Sequence, residues 1–301
     1  MAEQFARIDD VELCYETFGD PSRPAMLLIM GLGTQMVAWH EEFCGRLAEH
    51  GYFVIRFDNR DIGRSSRVRG RPPTLLQLLR RDPKAAVYTL DDLADDAVGL
   101  LDHLDIERAH VVGASMGGMI AQLITIRHPE RVLSLASIMS NTGARWSGQP
   151  SVRLYPIFLR RPPRDREAFV DHTVALFNTI GSPSLQPDED ELRRIAGQSY
   201  DRGHDSAGPG RQLAAILAAP DRAEGLGRIA VPTVVIHGTR DRLVSPSGGR
   251  ATAKAIPGAR LVLIEGMGHD LPRAAWPRIV GAIAENAARA GEPVGAGAYP
   301  S

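Results

Sequence analysis

Lysine is nearly missing from this chain of 301 residues: Lys84 and Lys254 are the only two, and arginine carries almost all of the positive charge. Glycine and proline are plentiful, at 30 and 21 residues, which with the arginine bias reads as the imprint of GC-rich coding. Arginine clusters therefore carry little weight as signs of a ligand. An excess of either charge is also lacking. The 35 basic and 36 acidic residues leave a formal net charge of -1, with no long run of one sign, so nothing in the balance calls for nucleic acid. Cysteine is scarce. Cys14 and Cys44 form no C-x-x-C pair, and two free thiols are expected rather than a disulfide framework. Long apolar runs are missing too. The most apolar short stretch, 25–30, falls far below the roughly 20 residues a spanning helix needs. The first ten residues are charged and lack the apolar centre of a signal peptide. A soluble, cytoplasmic protein is the expectation, and hydrophobic residues at 44% give it ample material for a core.

What is present is an alternation of short apolar runs with helical patterns, the signature of a mainly parallel sheet. Residues 5–8 and 11–18 flank Asp9-Asp10 and read as an antiparallel hairpin; 26–30, 53–57, 109–112, 132–139, 233–237 and 261–264 read as strands. Helices are expected over 39–50, after a Thr89 cap, over 116–128 and over 277–290. The segment 67–88 reads as irregular. Residues 141–228 break the alternation, with helical stretches at 167–177, 189–200 and 211–217 between Pro- and Gly-rich joints. The division expected is a core of 1–140 and 229–290, a helical lid of 141–228 inserted over the sheet's carboxyl edge, and a flexible tail of 291–301.

The chemistry-bearing pattern begins at Gly113-Ala114-Ser115-Met116-Gly117, a match to G-x-S-x-G. Five residues alone are a weak match, because glycine and serine are common. Here an apolar strand feeds the motif and an apolar helix leaves it, which is the strand–turn–helix context the motif requires. The turn would raise the Ser115 hydroxyl above the sheet, with glycines where side chains would strike neighbouring backbone. A serine hydroxyl is a poor nucleophile at neutral pH and needs a base within hydrogen-bond reach. Of nine histidines, His269 stands out, in the loop between the last strand and the last helix. That loop falls at the carboxyl edge, as Ser115 does. The third member should be an acid that orients the imidazole. Asp241 follows the preceding strand at the same edge; Asp270 is the weaker rival, and Asn141, after strand 132–139, is uncharged. For the negative oxygen of a tetrahedral intermediate, the backbone N–H groups of Met116 and of Leu32, in Met30-Gly31-Leu32-Gly33, are the candidate donors.

From about residue 5 to 290 the chain resembles the α/β-hydrolase superfamily of serine esterases and lipases. The resembling segments are Met30-Gly31-Leu32-Gly33, Asp58-Asn59-Arg60-Asp61-Ile62-Gly63-Arg64-Ser65, Gly113-Ala114-Ser115-Met116-Gly117-Gly118, His237-Gly238-Thr239-Arg240-Asp241 and Gly268-His269. A looser likeness is to actinobacterial carboxylesterases and lipases and to anthracycline methylesterases. The resemblance implies an α/β fold with helices on both faces of a twisted, mostly parallel sheet. It also implies the triad Ser115, Asp241 and His269, and the Leu32 and Met116 amides as oxyanion hole. Two departures stand out. Met30-Gly31 replaces a usual His-Gly, and Arg60-Asp61 replaces a usual Arg-Gly.

The expected activity is cleavage of carboxylic esters through an acyl-enzyme, without metal or cofactor. A lactonase, thioesterase or phospholipase with the same triad, a cofactor-free perhydrolase or C–C hydrolase, and a ligand receptor on the same fold are the alternatives. The partner expected is a small, apolar ester. In the run Arg153 to Arg161, apolar and aromatic residues alternate with arginine, which suits a helix packed on the sheet better than a lipid surface. Phe158, Phe169 and Phe177 are the pocket candidates.

Overall fold

The strand signals assemble into one eight-stranded sheet in the computed structural model, which describes residues 2–70, 73–80, 82–154 and 163–291. The strands are β1 (Gln4–Ile8), β2 (Val11–Phe18), β3 (Ala25–Ile29), β4 (Phe53–Phe57), β5 (Ala109–Ala114), β6 (Val132–Ile138), β7 (Thr233–Gly238) and β8 (Arg260–Ile264). Their order is β1-β2-β4-β3-β5-β6-β7-β8. The first hairpin turns at Asp9-Asp10 and pairs Ile8 with Val11. Strand β2 runs antiparallel to β4, and every later pairing is parallel.

Strands β3, β5 and β7 are buried at every position, as strands covered on both faces must be. The two-residue period of the strand sorts their side chains into two cores. Leu27 and Ile29 join Leu93, Leu100, Ile120 and Ile124 on one side, whereas Met26 and Leu28 join Phe43, Trp276, Ile279 and Ile283 on the other.

Helices α1 (Glu41–Glu49), α2 (Leu75–Arg80), α3 (Leu90–His103) and α4 (Met116–Arg127) precede β6, and α9 (Pro246–Ala255) and α10 (Trp276–Ala288) lie after β7. Four more, α5 (Arg166–Ile180), α6 (Glu189–Gly203), α7 (Gly208–Ala218) and α8 (Ala223–Leu226), lie between β6 and β7. The Thr89 cap is a reciprocal box: Asp92 N–H donates to Thr89 Oγ1 (3.2 Å) and Thr89 N–H to Asp92 Oδ2 (2.7 Å).

Three expectations change. The helix expected over 39–50 begins later, at Glu41, because His40 caps it by accepting from Glu42 N–H (3.0 Å). The irregular segment 67–88 contains α2. Helix α9 was not anticipated; its Gly248-Gly249 pair and few apolar residues hide it from any periodicity. Cys14 and Cys44 are buried and unpaired. Among the described residues no helix is long and apolar enough to cross a membrane.

Candidate active site

Strand β5 ends at Ala114 and α4 begins at Met116, so Ser115 alone makes the turn. Its backbone lies at φ 57°, ψ -119°, a conformation costly for a residue with a side chain. The surroundings hold it there. Ser115 N–H donates to Ile138 O (2.9 Å), and the Ser140 hydroxyl donates to Ser115 O (2.8 Å). The flanking glycines are required by space. A Cβ on Gly113 would sit 2.0 Å from Gly117 O, and one on Gly117 would sit 2.0 Å from Ile29 O.

The loops after β7 and β8 bring two partners to this turn. His269 Nε2 lies 2.9 Å from Ser115 Oγ, and His269 Nδ1 lies 2.7 Å from Asp241 Oδ2. Burial alone would raise the Asp241 carboxyl, but the charge and hydrogen bonds of His269 and His237 outweigh it and hold the group at about 2. An ionised Asp241 can only accept, so His269 Nδ1 carries the proton and Nε2 is free to accept from the Ser115 hydroxyl. Leu243 and Val244 N–H groups donate to the other carboxylate oxygen, at 2.9 and 2.8 Å. Asp270 points elsewhere. It accepts from Ser182 N–H (3.2 Å) and from the Ser182 hydroxyl, while Ser182 Oγ accepts from Gly268 N–H (2.7 Å). His269 N–H donates to Ile180 O (2.7 Å), so the end of α5 is tied to the histidine loop.

The strand-exit loop after β3 passes over Ser115: a Cβ on Gly31 would lie 3.0 Å from Ser115 Cβ. Thr34 N–H closes the turn onto Gly31 O (3.2 Å), with Gly33 at φ +68°. Among the described residues neither the Leu32 nor the Met116 N–H has a protein acceptor. Met116 opens α4, where the helix's first N–H groups and its dipole favour negative charge.

The sequence matches the alpha/beta hydrolase fold family over residues 24–272. The chain belongs to this family. A rhodomycin D methylesterase from a Streptomyces species is 33% identical over 296 residues, covering 91% of this chain and 94% of that protein. A 3-oxoadipate enol-lactonase from Acinetobacter baylyi is 28% identical over 256 residues, covering 85% and 86%. Among solved structures, a Rhodococcus esterase superposes with a TM-score of 0.75 at 19% identity, covering 97% of this chain and 100% of its own. An enol-lactonase from Burkholderia xenovorans gives 0.71 at 24% identity, covering 95% and 99%.

The α/β-hydrolase departure at Arg60-Asp61 has a physical account. Asp61 adopts φ +73°, the left-handed region that a glycine enters without penalty. Here the carboxylate accepts from Val68 N–H (2.8 Å) and takes both arms of Arg211, at 2.8 and 2.7 Å. Asp58, three residues before, accepts from Met36 N–H (2.7 Å) and Arg64 N–H (3.0 Å) and pairs with Arg202 (2.8 Å). Both arginines come from the helices between β6 and β7, and all four side chains are buried.

The pocket candidates fare differently. Phe169 is half-buried in α5, packed on Tyr200 and His204 with ring centroids 5.6 and 4.7 Å away. Phe177 is half-buried one turn before Ile180. Phe158, most of the Arg153–Arg161 run, and the expected tail apart from Gly291 lie outside the described residues. Among the described residues no group of three or more His, Cys, Asp or Glu is placed to hold a metal ion.

Sequence reasoning gave His237 no role beyond its place in the segment His237-Gly238-Thr239-Arg240-Asp241. It is fully buried, but its Nε2 donates to Val244 O (2.8 Å) and lies 3.4 Å from Asp241 Oδ2. Its place four residues before Asp241 was the available signal. Arg202, Arg211 and Gln212 were also missed, since contacts about 150 residues apart in sequence leave no local pattern.

Proposed function

We propose that this chain hydrolyses carboxylic esters of small molecules through an acyl-enzyme on Ser115, with His269 as base and Asp241 as its orienting acid. The observation that carries the reading is the hydrogen-bonded series from Ser115 Oγ to His269 Nε2 (2.9 Å) and from His269 Nδ1 to Asp241 Oδ2 (2.7 Å). As Oγ attacks the ester carbonyl, its proton passes to His269 Nε2, and Asp241 stabilises the imidazolium. The Leu32 and Met116 N–H groups receive the oxyanion; a donor of this kind contributes about 10²–10³ in rate. His269 then returns the proton to the departing alkoxide, which leaves as the alcohol. Water attacks the acyl-enzyme by the same route, giving the acid and restoring Ser115.

Methyl esters are the first substrates proposed, because the relative named a methylesterase matches 91% of the chain at 33% identity. The acyl side is proposed to be apolar. Lactones, which are cyclic esters open to the same chemistry, are the second class, supported by the enol-lactonase at 28% identity over 85% of the chain. The test is a panel of methyl esters, p-nitrophenyl esters, lactones, thioesters and phospholipids with the native chain and Ser115→Ala. Ester turnover lost in the variant, with thermal unfolding unchanged, is the expected outcome. Full ester turnover by Ser115→Ala would sink the proposal.

A further inference from the structure

Gln212 is fully buried in α7, with no charge to bring and a hydrophobic core beside it. A buried amide in such a place needs partners, and both of its ends have them. Its Oε1 accepts from Gly33 N–H (2.9 Å), and its Nε2 donates to Arg60 O (3.1 Å). Gly33 is the residue after Leu32, in the turn closed by Thr34 onto Gly31. The same turn is touched from above by Pro209 of α7, whose Cβ would lie 3.3 Å from a Cβ on Gly33. The carbonyl end of the Leu32–Gly33 peptide, Leu32 O, accepts from the Thr34 hydroxyl within the turn (3.1 Å), and its N–H end is held by Gln212. That acceptor comes from 179 residues away, on a helix between β6 and β7.

We infer that Gln212 is a positioning residue that aims the Leu32 N–H at the reacting carbonyl oxygen, so that the oxyanion hole is completed by α7. This rests on the proposed role of Ser115 and of the Leu32 amide. The peptide that carries Gly33 N–H begins at the Leu32 carbonyl, so fixing that amide fixes the far side of Leu32. The near side is fixed by Gly31, packed on Ser115. Neighbouring Arg211 anchors the helix by its buried pair with Asp61, which keeps Gln212 at the right height. A helix that shifted by an ångström would turn the amide off the oxyanion.

The reading predicts a specific kinetic signature for Gln212→Ala with p-nitrophenyl butyrate. The kcat should fall about 10- to 100-fold, less than the loss of a donor outright, while KM stays within about twofold. The affinity of a trifluoromethyl ketone, which forms the tetrahedral adduct, should fall by the same factor as kcat/KM. Gln212→Met keeps the buried volume and carries the test if the alanine variant does not fold. Arg166→Ala, which breaks an exposed pair with Asp201 on the same group of helices, should behave as the native chain. Native kcat and ketone affinity in Gln212→Met would overturn the inference. So would a rise in KM alone, or an equal loss in Arg166→Ala. Labelling of the native chain by a fluorophosphonate separates the two levels: no adduct on Ser115 overturns the proposed function itself, whereas an adduct with unchanged variants overturns only the role of Gln212.

Discussion

Asp241 illustrates how burial and pairing compete at a single carboxyl. Burial opposes its charge, yet two imidazoles hold it at about 2, below its ordinary 3.8. Its charged form is therefore favoured by the folded chain. The stability this adds is complete above the ordinary value and is lost as pH falls from about 3.8 toward about 2. Unfolding free energies measured across that window should follow this decline in the native chain and lose it in Asp241→Asn. Asp241→Asn should lower kcat by about 10³–10⁴-fold, because an amide can hold the imidazole in the wrong tautomer. Steady-state kinetics with the fold checked by circular dichroism measures it. At this scale the sequence was most informative. The motif and chain order singled out Ser115, Asp241 and His269, which stand in one hydrogen-bonded series. Sequence order favoured Asp241 over Asp270, and the geometry agrees with that preference: Asp241 lies 2.7 Å from His269 Nδ1, whereas Asp270 is bonded to Ser182.

At the scale of elements, the turn from β5 to α4 has no slack. A methyl group on Gly113 would meet Gly117 O at 2.0 Å, so Gly113→Ala must move either the helix or Ser115. The expected outcome is loss of most ester turnover together with a lowered unfolding temperature. The helices between β6 and β7 depend on a different device. Arg211→Ala leaves Asp61 buried without its cation, in a backbone conformation that this pair supports. Breaking such a pair from one side costs about 3–5 kcal/mol, to be read from denaturant unfolding. The central strands were legible here because burial on both faces writes each of them as a short apolar run between helical patterns. Helix α9 was not, since Gly248 and Gly249 pack tightly against Gly148 and His237 instead of presenting an apolar stripe. The arginine-rich composition had argued for ignoring arginines, yet Arg202 and Arg211 are the buried anchors of α6 and α7. Composition cannot separate an anchoring arginine from a solvated one, because the difference lies in a partner far along the chain.

For the whole molecule, acid stability should depend on a group away from the site. His110 lies buried in β5, 2.9 Å from Ser134 Oγ, and burial with Arg108 nearby pushes it down to about 4 from 6.5. The unfolded chain takes up a proton between these values that the folded chain refuses. Stability is therefore full above 6.5 and declines as pH falls toward 4, by up to about 1.4 kcal/mol per pH unit. Unfolding free energies across that window should show a shallower slope for His110→Asn than for the native chain. The mainly parallel sheet, its antiparallel first hairpin and the likeness to the α/β-hydrolase family were readable from the alternation of strand and helix patterns and from five short segments, whereas the strand order β1-β2-β4-β3-β5-β6-β7-β8 was not. What sequence could not convey is how α7 reaches back to the turn after β3, a relation made only by folding.

The central claim is that Ser115 is the attacking nucleophile of an acyl-enzyme. Intact-mass and peptide mapping after exposure to a fluorophosphonate probe tests it most directly. The expected result is one adduct, on the peptide carrying Ser115, that disappears in Ser115→Ala and forms slowly when His269 is replaced by alanine. A native chain that stays unlabelled while it hydrolyses esters, or an adduct that persists in Ser115→Ala, would contradict it.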